Sequence, residues 1–600
     1  MMRKASRVPE NLYERARRLG IQFTYRDAAG NEQTIDDAIL PDLVAALSSN
    51  AETVATAQKA PAVRMAPSGS AYQPGFAQAG ERCWLLAVQL YSLQTPENWG
   101  HGDFGDLTRL LEIVACAGGD GIGLNPLHLL FEDRPEEASP YAPSSRRFLN
   151  PLYLDIAQLP GIGAIERMKY RPDRSHDGPL IDYASVAEAK YDAFRIAYRQ
   201  FRAEPTLQDA EAFALYKREM GWPLRQFAVF TFLRRRYGSR WRDWPARWRN
   251  ADRAAIEHLA AEEAGAIDFQ EFLQWQAHEQ LSRCAALGRE LGLRVGLYMD
   301  LAVGVHPDGF DAWSLQDVFL DNIVIGAPPD PLNQLGQNWG LTAFNPGALR
   351  ALDCAPFREM LAAIMRYAGA IRFDHILGLN RLYLIPENRT GREGAYVTLP
   401  LTDLINLLCA ESRAHECLVI GEDLGTVPNG FRETLRAAGI WTFLVMLFSR
   451  DEDGAFLPPE DYAAQGLATF ATHDLPTLRG WLDGRDLEVL SDLHIPAAET
   501  MTQRRASLQA LVAAMDEAGI PPGEMFERVS CFLARAPSGV LSISLEDVLG
   551  VREQVNLPGT HHEYPNWRRR LPFEADDLRE RLERLGRTLA SEGRGQSIFP

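Results

Sequence analysis

The chain has 600 residues, with 62 Lys and Arg against 80 Asp and Glu, a formal charge of −18, and 46% hydrophobic and 24% charged side chains. That is the composition of a globular protein, and so acidic a total excludes general affinity for nucleic-acid phosphates or anionic lipid unless a large basic patch overrides it; none is evident. No run approaches about 18 consecutive apolar residues, and the opening MMRKASRVPENLYERARRLG lacks the apolar core of a signal peptide, so the chain is expected to be cytoplasmic and free of membrane. Seven scattered cysteines without a C-x-x-C pair point to reduced, mostly buried thiols.

Taken in chain order, Asn11 to Leu19 and Pro41 to Leu47 are short helices, too little for a core of their own, and are expected to pack on the main body. Residues 50–80, rich in Ala, Pro, Gly and Ser, form a linker, which places a boundary near Gly80: a short N-terminal segment (1–80), then one catalytic unit (81–600). Eight apolar runs follow: Trp84–Tyr91, Gly121–Pro126, Val295–Leu301, Ala370–Ile376, Cys417–Leu424, Trp441–Leu447, Leu467–Leu475 and Val540–Val548. Near-continuous apolar runs suit parallel strands buried on both faces. Helical spacing recurs between them, in FGDLTRLLEIVACA, FLQWQAHEQLSRCAALGRELG, PFREMLAAIMRYAG, LTDLINLLCAESR and PNGFRETLRAAG. Strand and helix repeated eight times predict an α/β protein, a (β/α)8 TIM barrel. The interval 127–292 is too long for one crossover and predicts a helical insertion subdomain between strands 2 and 3. Its Arg- and Trp-rich stretch WPLRQFAVFTFLRRRYGSRWRDWPARW carries no nucleic-acid reading motif and is read as packed helix.

Chemistry in such a barrel sits at the C-terminal ends of the strands. Four carboxylates close apolar runs there: Asp300 on the third, Asp374 on the fourth, Glu422 on the fifth and Asp474 on the seventh. A lone strand-end Asp is as often a helix cap, but four in one barrel argue for a site. Arg372, two residues before Asp374, shares its face, and a guanidinium there favours the ionised carboxylate that a nucleophile requires; a barrel-lining ion pair is the competing explanation. Glu422 sits in the apolar VIGEDLG, where burial keeps a proton available near neutrality, as a general acid requires. Two carboxylates of divergent acidity are the equipment for glycosidic cleavage, and in retaining enzymes they lie roughly 5–5.5 Å apart, a separation that adjacent strands provide. Asp474, next to His473, adds a group able to bond sugar hydroxyls and favour a cationic transition state.

IRFDHILGLNRL, VIGEDLGTVP, ATHDLPTLRGW and GAPPDPLNQLGQNWG resemble the signature segments of the amylomaltase (disproportionating enzyme) family of 4-α-glucanotransferases, within the α-amylase superfamily. The likeness extends through LYSLQTPENWGHGDFGDL, SPYAPSSRRFLNPLYLDI and NLPGTHHEYPNWRRRL, from about Trp84 to Leu571, while the part before Trp84 is short beside bacterial members that carry a sizeable extra N-terminal region. The resemblance implies transfer of α-1,4-glucan segments between maltooligosaccharides, or to glucose, by a retaining double displacement. It implies Asp374 as nucleophile, Glu422 as acid/base and Asp474 as transition-state stabiliser, in agreement with the reading of the residues. It further implies that Arg372, His375, His473 and Asp300 line the cleavage subsite, that Asp330, Gln337 and Trp339 come from a lid-like loop, and that Tyr141, Trp99, Ser92 and Asn556 contact sugar. The Gly-, Pro- and Asn-rich loop Gly326 to Gly340 is expected to be exposed and irregular, its Trp339 offering a ring face to glucose unless it packs on the rim.

Other signals are declined. Ser449 to Glu460 begins a calcium-loop pattern with Ser instead of Asp and is interrupted by prolines; His561 and His562 lack a ligand spacing; GIGLNP and GIGAIE miss the third glycine of a dinucleotide fingerprint. The chemistry therefore requires no metal or cofactor. An α-1,4-glucan hydrolase using the same carboxylates is the alternative, separated by its products; a non-catalytic glucan-binding protein would be expected to lack one of the three carboxylates, and all three are present.

Overall fold

The computed structural model describes residues 10–27, 30–48, 69–160, 163, 178–250, 252–330, 335–572 and 574–596. Most of the expected linker lies outside them. At the centre is a closed barrel of eight parallel strands: β1 (Cys83–Val88), β2 (Gly121–Leu124), β3 (Gly296–Leu301), β4 (Ala370–Phe373), β5 (Leu418–Gly421), β6 (Trp441–Val445), β7 (Gly466–Thr469) and β8 (Val540–Ser544). Each pairs with the next in chain order, and β8 closes on β1. The eight expected strands are therefore all present, mostly shorter at their C-terminal ends than the apolar runs suggest. The runs read as strand because both faces are covered. In β1, Cys83 and Leu85 join the interior with Tyr298, Ile420 and Phe443, while Trp84, Leu86 and Val88 pack outward on the helices.

Crossover helices follow the strands, among them Phe104–Cys116, Ala264–Glu290, Ala355–Met365, Leu401–Ala414, Phe431–Ala437 and Ala575–Ser591. Asp103 and Asp106 form a capping box at the start of the first. The expected eightfold alternation fails after β6: residues 446–465, polar and proline-containing, form two 3-10 turns and no α-helix. Within 127–292 stand helices Tyr183–Ala203 and Leu207–Tyr237, the second kinked at Gly221 ahead of Pro223. Trp241, Trp244 and Trp248 are buried there, and Arg234 pairs with Asp133, so the Arg- and Trp-rich stretch is packing and ion pairing. Helix Ala264–Glu290 lies against Phe104–Cys116 and β3 and serves as a barrel crossover.

A second, antiparallel sheet stands beside the mouth, in the order Gln337–Leu341, Ile323–Ala327, Arg381–Pro386, Ala395–Thr398. Helices Glu10–Arg18 and Leu40–Ser48 pack on it, with Ile39, Leu40, Leu43 and Leu47 meeting Ile323, Ile325, Leu341 and Leu384 in a core separate from that of the barrel. Among the described residues no helix is long and apolar enough to cross a membrane.

Candidate active site

Strands β3 and β4 pair with Asp300 opposite Arg372, so the two side chains leave the sheet on one face. Arg372 Nη1 donates to Asp300 Oδ1 and Oδ2 (2.9 and 3.0 Å) and pairs with Asp374 Oδ1 at 2.8 Å, one residue beyond β4. Burial would press the guanidinium's pKa down, but Asp300 and Asp374 hold it well above the ordinary value. Desolvation raises Asp300 against the opposing pull of Arg372. Tyr141 donates its hydroxyl to Asp300.

The chain turns sharply after Asp374. His375 adopts a left-handed conformation (φ 47°, ψ 58°), a strain of roughly 1–2 kcal/mol for a residue with a Cβ. Its N–H then donates to Glu422 Oε2 (2.9 Å), while Leu424 N–H donates to Oε1 (2.8 Å). Glycine at 421 lets this turn pack closely, since a Cβ there would meet Ile376 Cδ1 at 2.5 Å and Cγ2 at 2.8 Å and displace that side chain. Glu422 is 8% exposed, and burial raises its pKa to about 7; Asp374 adds to the rise, and Arg372 and the two N–H donors restrain it.

Asp474 lies five residues past the end of β7, on a loop instead of the strand end expected of it. Its Oδ1 accepts from Asn556 Nδ2 (2.7 Å) and sits 3.4 Å from His473 Nε2. Burial alone would raise its pKa; His473 and Asn556 outweigh that and hold the carboxyl below its usual range. His473 is correspondingly raised, burial being overcome by Asp474. The His473 ring stacks on Tyr141 (centroids 4.6 Å, 27°), with Nδ1 3.2 Å from the Tyr141 hydroxyl. Arg372, Asp300, Asp374, Tyr141, His473, Asp474 and Asn556 are thus one bonded cluster, and Glu422 is tied to it through His375.

The remaining sequence candidates fall in two groups. Gln337 and Trp339 belong to a strand, Gln337–Leu341, and not to the irregular loop expected: the glycines there permit pairing with Ile323–Ala327. Trp339 is half-buried, its Nε1 donating to Gln337 Oε1 (3.0 Å) and its ring edge-on to His375 at 5.3 Å. Asp330 is half-buried just before residues 331–334, which lie outside the described residues. Ser92 and Trp99 are buried, Ser92 donating to the Gln89 carbonyl (2.6 Å), and neither has a hydrogen bond to the cluster among the described residues. Sequence reasoning overlooked Trp567. Its ring lies 5.4 Å from Tyr141 and 5.2 Å from His473, held by a left-handed backbone (φ 60°). Its signal was a tryptophan in a polar, proline-containing loop beside an arginine run.

A family model described as 4-α-glucanotransferase matches residues 88–575. The 4-α-glucanotransferase of Haemophilus influenzae is 36% identical over 540 residues, 84% of this chain and 77% of that protein; that of Mycobacterium tuberculosis is 36% identical over 558 residues, 87% and 76%. Among solved structures, the amylomaltase from Corynebacterium glutamicum superposes with a TM-score of 0.84 at 24% identity, covering 97% of this chain and 99% of that one. The amylomaltase from Streptococcus agalactiae, solved in complex with acarbose, gives 0.73 at 19% identity, covering 86% and 100%. These structures share the fold, and the sequence matches carry the assignment: the chain belongs to the 4-α-glucanotransferase family.

Proposed function

We propose that Asp374, Glu422 and Asp474 carry out a retaining double displacement on α-1,4-glucans, the substrate class of this glycosyl-transferring family. Asp374 attacks the anomeric carbon while Glu422 gives its proton to the departing glycosidic oxygen, leaving a β-glycosyl ester on Asp374 and a shortened sugar. Glu422, now a carboxylate, takes the proton from the 4-hydroxyl of an incoming maltooligosaccharide or glucose. That oxygen bonds to the anomeric carbon, the ester bond breaks, and Asp374 returns as carboxylate with the α configuration restored. The observation that carries this reading is the division of labour between neighbouring carboxylates: Asp374 ion-paired to Arg372 at 2.8 Å, and Glu422 raised to about 7 between two backbone N–H donors.

Asp474, held by Asn556 and His473, is assigned the positive charge that develops at the anomeric carbon. Arg372, Asp300, His375, His473 and Tyr141 are assigned to the sugar at the cleavage point, Gln337, Trp339 and Asp330 to a neighbouring glucose, and Asn556, Trp99 and Ser92 to further contacts. The division of the chain near Gly80, the insertion within 127–292 and a cytoplasmic location belong to the same proposal. Incubation with maltotriose, without added metal or nucleotide, tests it. A ladder of longer maltooligosaccharides with glucose is expected; glucose and maltose alone would mean hydrolysis.

A further inference from the structure

The short segment ahead of the barrel reaches toward the catalytic loops through the side chain of Gln22. Residues 20–22 extend the edge of the second sheet: Ile21 bridges Val397, Gln22 N–H donates to the Tyr396 carbonyl (2.8 Å), and Thr398 N–H donates to the Gly20 carbonyl (3.0 Å). The Gln22 amide is fixed in one orientation, its Nε2 donating to Thr398 Oγ1 (3.3 Å), so that its Oε1 accepts from Arg381 Nη1 (3.2 Å). Arg381 opens the strand Arg381–Pro386, only six residues beyond the strained His375, and its guanidinium lies 3.9 Å from the centroid of the Tyr396 ring. Its other arm, Nη2, donates to the Thr426 carbonyl (3.3 Å). Thr426 lies in GEDLGTVP, four residues after Glu422 and two after Leu424, whose N–H holds Glu422 Oε1.

We infer that Arg381 is a positioning residue for the acid/base, joining the N-terminal segment at Gln22 to the loop that clamps Glu422; this rests on the transfer reading above. The guanidinium has a use for each arm. One is set by an amide anchored to the sheet edge, the other holds a loop carbonyl, and the ring of Tyr396 fixes the plane between them. Without the second bond, the loop is restrained near Glu422 by one fewer contact, and the Leu424 N–H is free to drift from the carboxylate. A misplacement of this kind slows proton transfer while leaving the sugar contacts of the cluster in place.

The test uses the full chain with Arg381→Ala, Arg381→Lys, Gln22→Ala and the double variant, measuring maltotriose disproportionation against substrate concentration together with thermal unfolding. Arg381→Ala is expected to lower kcat about tenfold, with KM within about twofold. Arg381→Lys, which keeps a donor for Thr426, recovers most of that loss. Gln22→Ala lowers kcat by about two- to threefold and adds nothing in the Arg381→Ala background, because both act through one link. Unchanged kcat in either single variant, or losses that add and follow the fall in unfolding temperature, would overturn the inference; Gln22→Ala, at a half-buried edge position, keeps the test open even where Arg381→Ala fails to fold. Absence of the ladder from the unmodified chain would overturn the transfer reading, and this inference with it, whereas a normal ladder with an unimpaired Arg381→Ala overturns the inference alone.

Discussion

Two buried arginines mark opposite ends of the barrel. Arg372, at the C-terminal mouth, faces two carboxylates, which hold its pKa well above the ordinary value. Arg594, 1% exposed at the opposite end, donates, among the described residues, to backbone carbonyls alone: Ala534 and Ser538 (2.8 Å each), Ala536 (2.5 Å), Cys83 (3.3 Å) and Leu533 (3.5 Å). Burial, with Arg82 nearby, presses its pKa down to about 9. Carbonyl dipoles satisfy every direction of the Arg594 fork and fasten the last helix to the barrel floor. At the mouth, the guanidinium meets side-chain carboxylates instead, Asp300 and the proposed nucleophile Asp374. Burial of an arginine therefore says little about function; the charge of its partners decides.

The largest effect that would break this contrast is at the carboxylates themselves. Asp374→Asn and Glu422→Gln are each expected to lower transfer by at least about 10⁴-fold with unfolding temperatures close to the parent, read from maltotriose turnover and calorimetry. Full activity in either would remove the mouth's distinction from the floor. Exchange of the arginines comes next. Arg372→Lys keeps the charge but replaces the planar guanidinium, whose Nη1 meets Asp300 and Asp374 at once, with an ammonium of different reach and donor directions, and should cost about 10²-fold in kcat. Arg594→Lys, by contrast, should leave kcat of the folded protein unchanged while lowering the denaturant midpoint, equivalent to about 1–3 kcal/mol for carbonyls left without donors.

The pH dependence sharpens the same comparison. Glu422 titrates at about 7 in the folded chain, so it carries its proton below that pH and loses it above. The donor-cleavage kcat/KM should hold below about pH 7 and fall roughly tenfold per unit above it. For stability the sign is that of a raised carboxyl. The contribution of Glu422 is present in full below its unfolded value of roughly 4.3 and is lost as pH rises through about 7, so Glu422→Gln should flatten that stretch of a stability profile. A smaller loss than at Arg372 is expected at the support of Asp474: Asn556→Ala removes a 2.7 Å bond and should reduce kcat about tenfold, with maltotriose KM little changed.

The barrel was legible in the sequence because parallel strands covered on both faces read as apolar runs, and all eight were found. Their ends were not, because apolar residues recur past the last strand residue: Asp374 and Glu422 stand one residue beyond β4 and β5, and Asp474 five beyond β7. The site residues in β3 and β4 were legible from the period of two that sets Arg372 beside its carboxylates. Gln337–Leu341 escaped as a strand because its Gly and Asn content mimics a loop, and its pairing partner, Ile323–Ala327, supplies the order from outside. Arg381 and Arg594 escaped for a common reason. Their partners are carbonyls and an amide from distant segments, which leave no mark on local composition.

The central claim is that Asp374 holds the sugar between the two halves of the transfer. Incubating the Glu422→Gln variant with α-maltosyl fluoride, whose leaving group needs no acid, and mapping the mass of its peptides tests that most directly. The account predicts a maltosyl adduct on the peptide containing Asp374, absent from the Asp374→Asn/Glu422→Gln double variant. An adduct on another residue, or fluoride release with inverted product and no adduct, would contradict it.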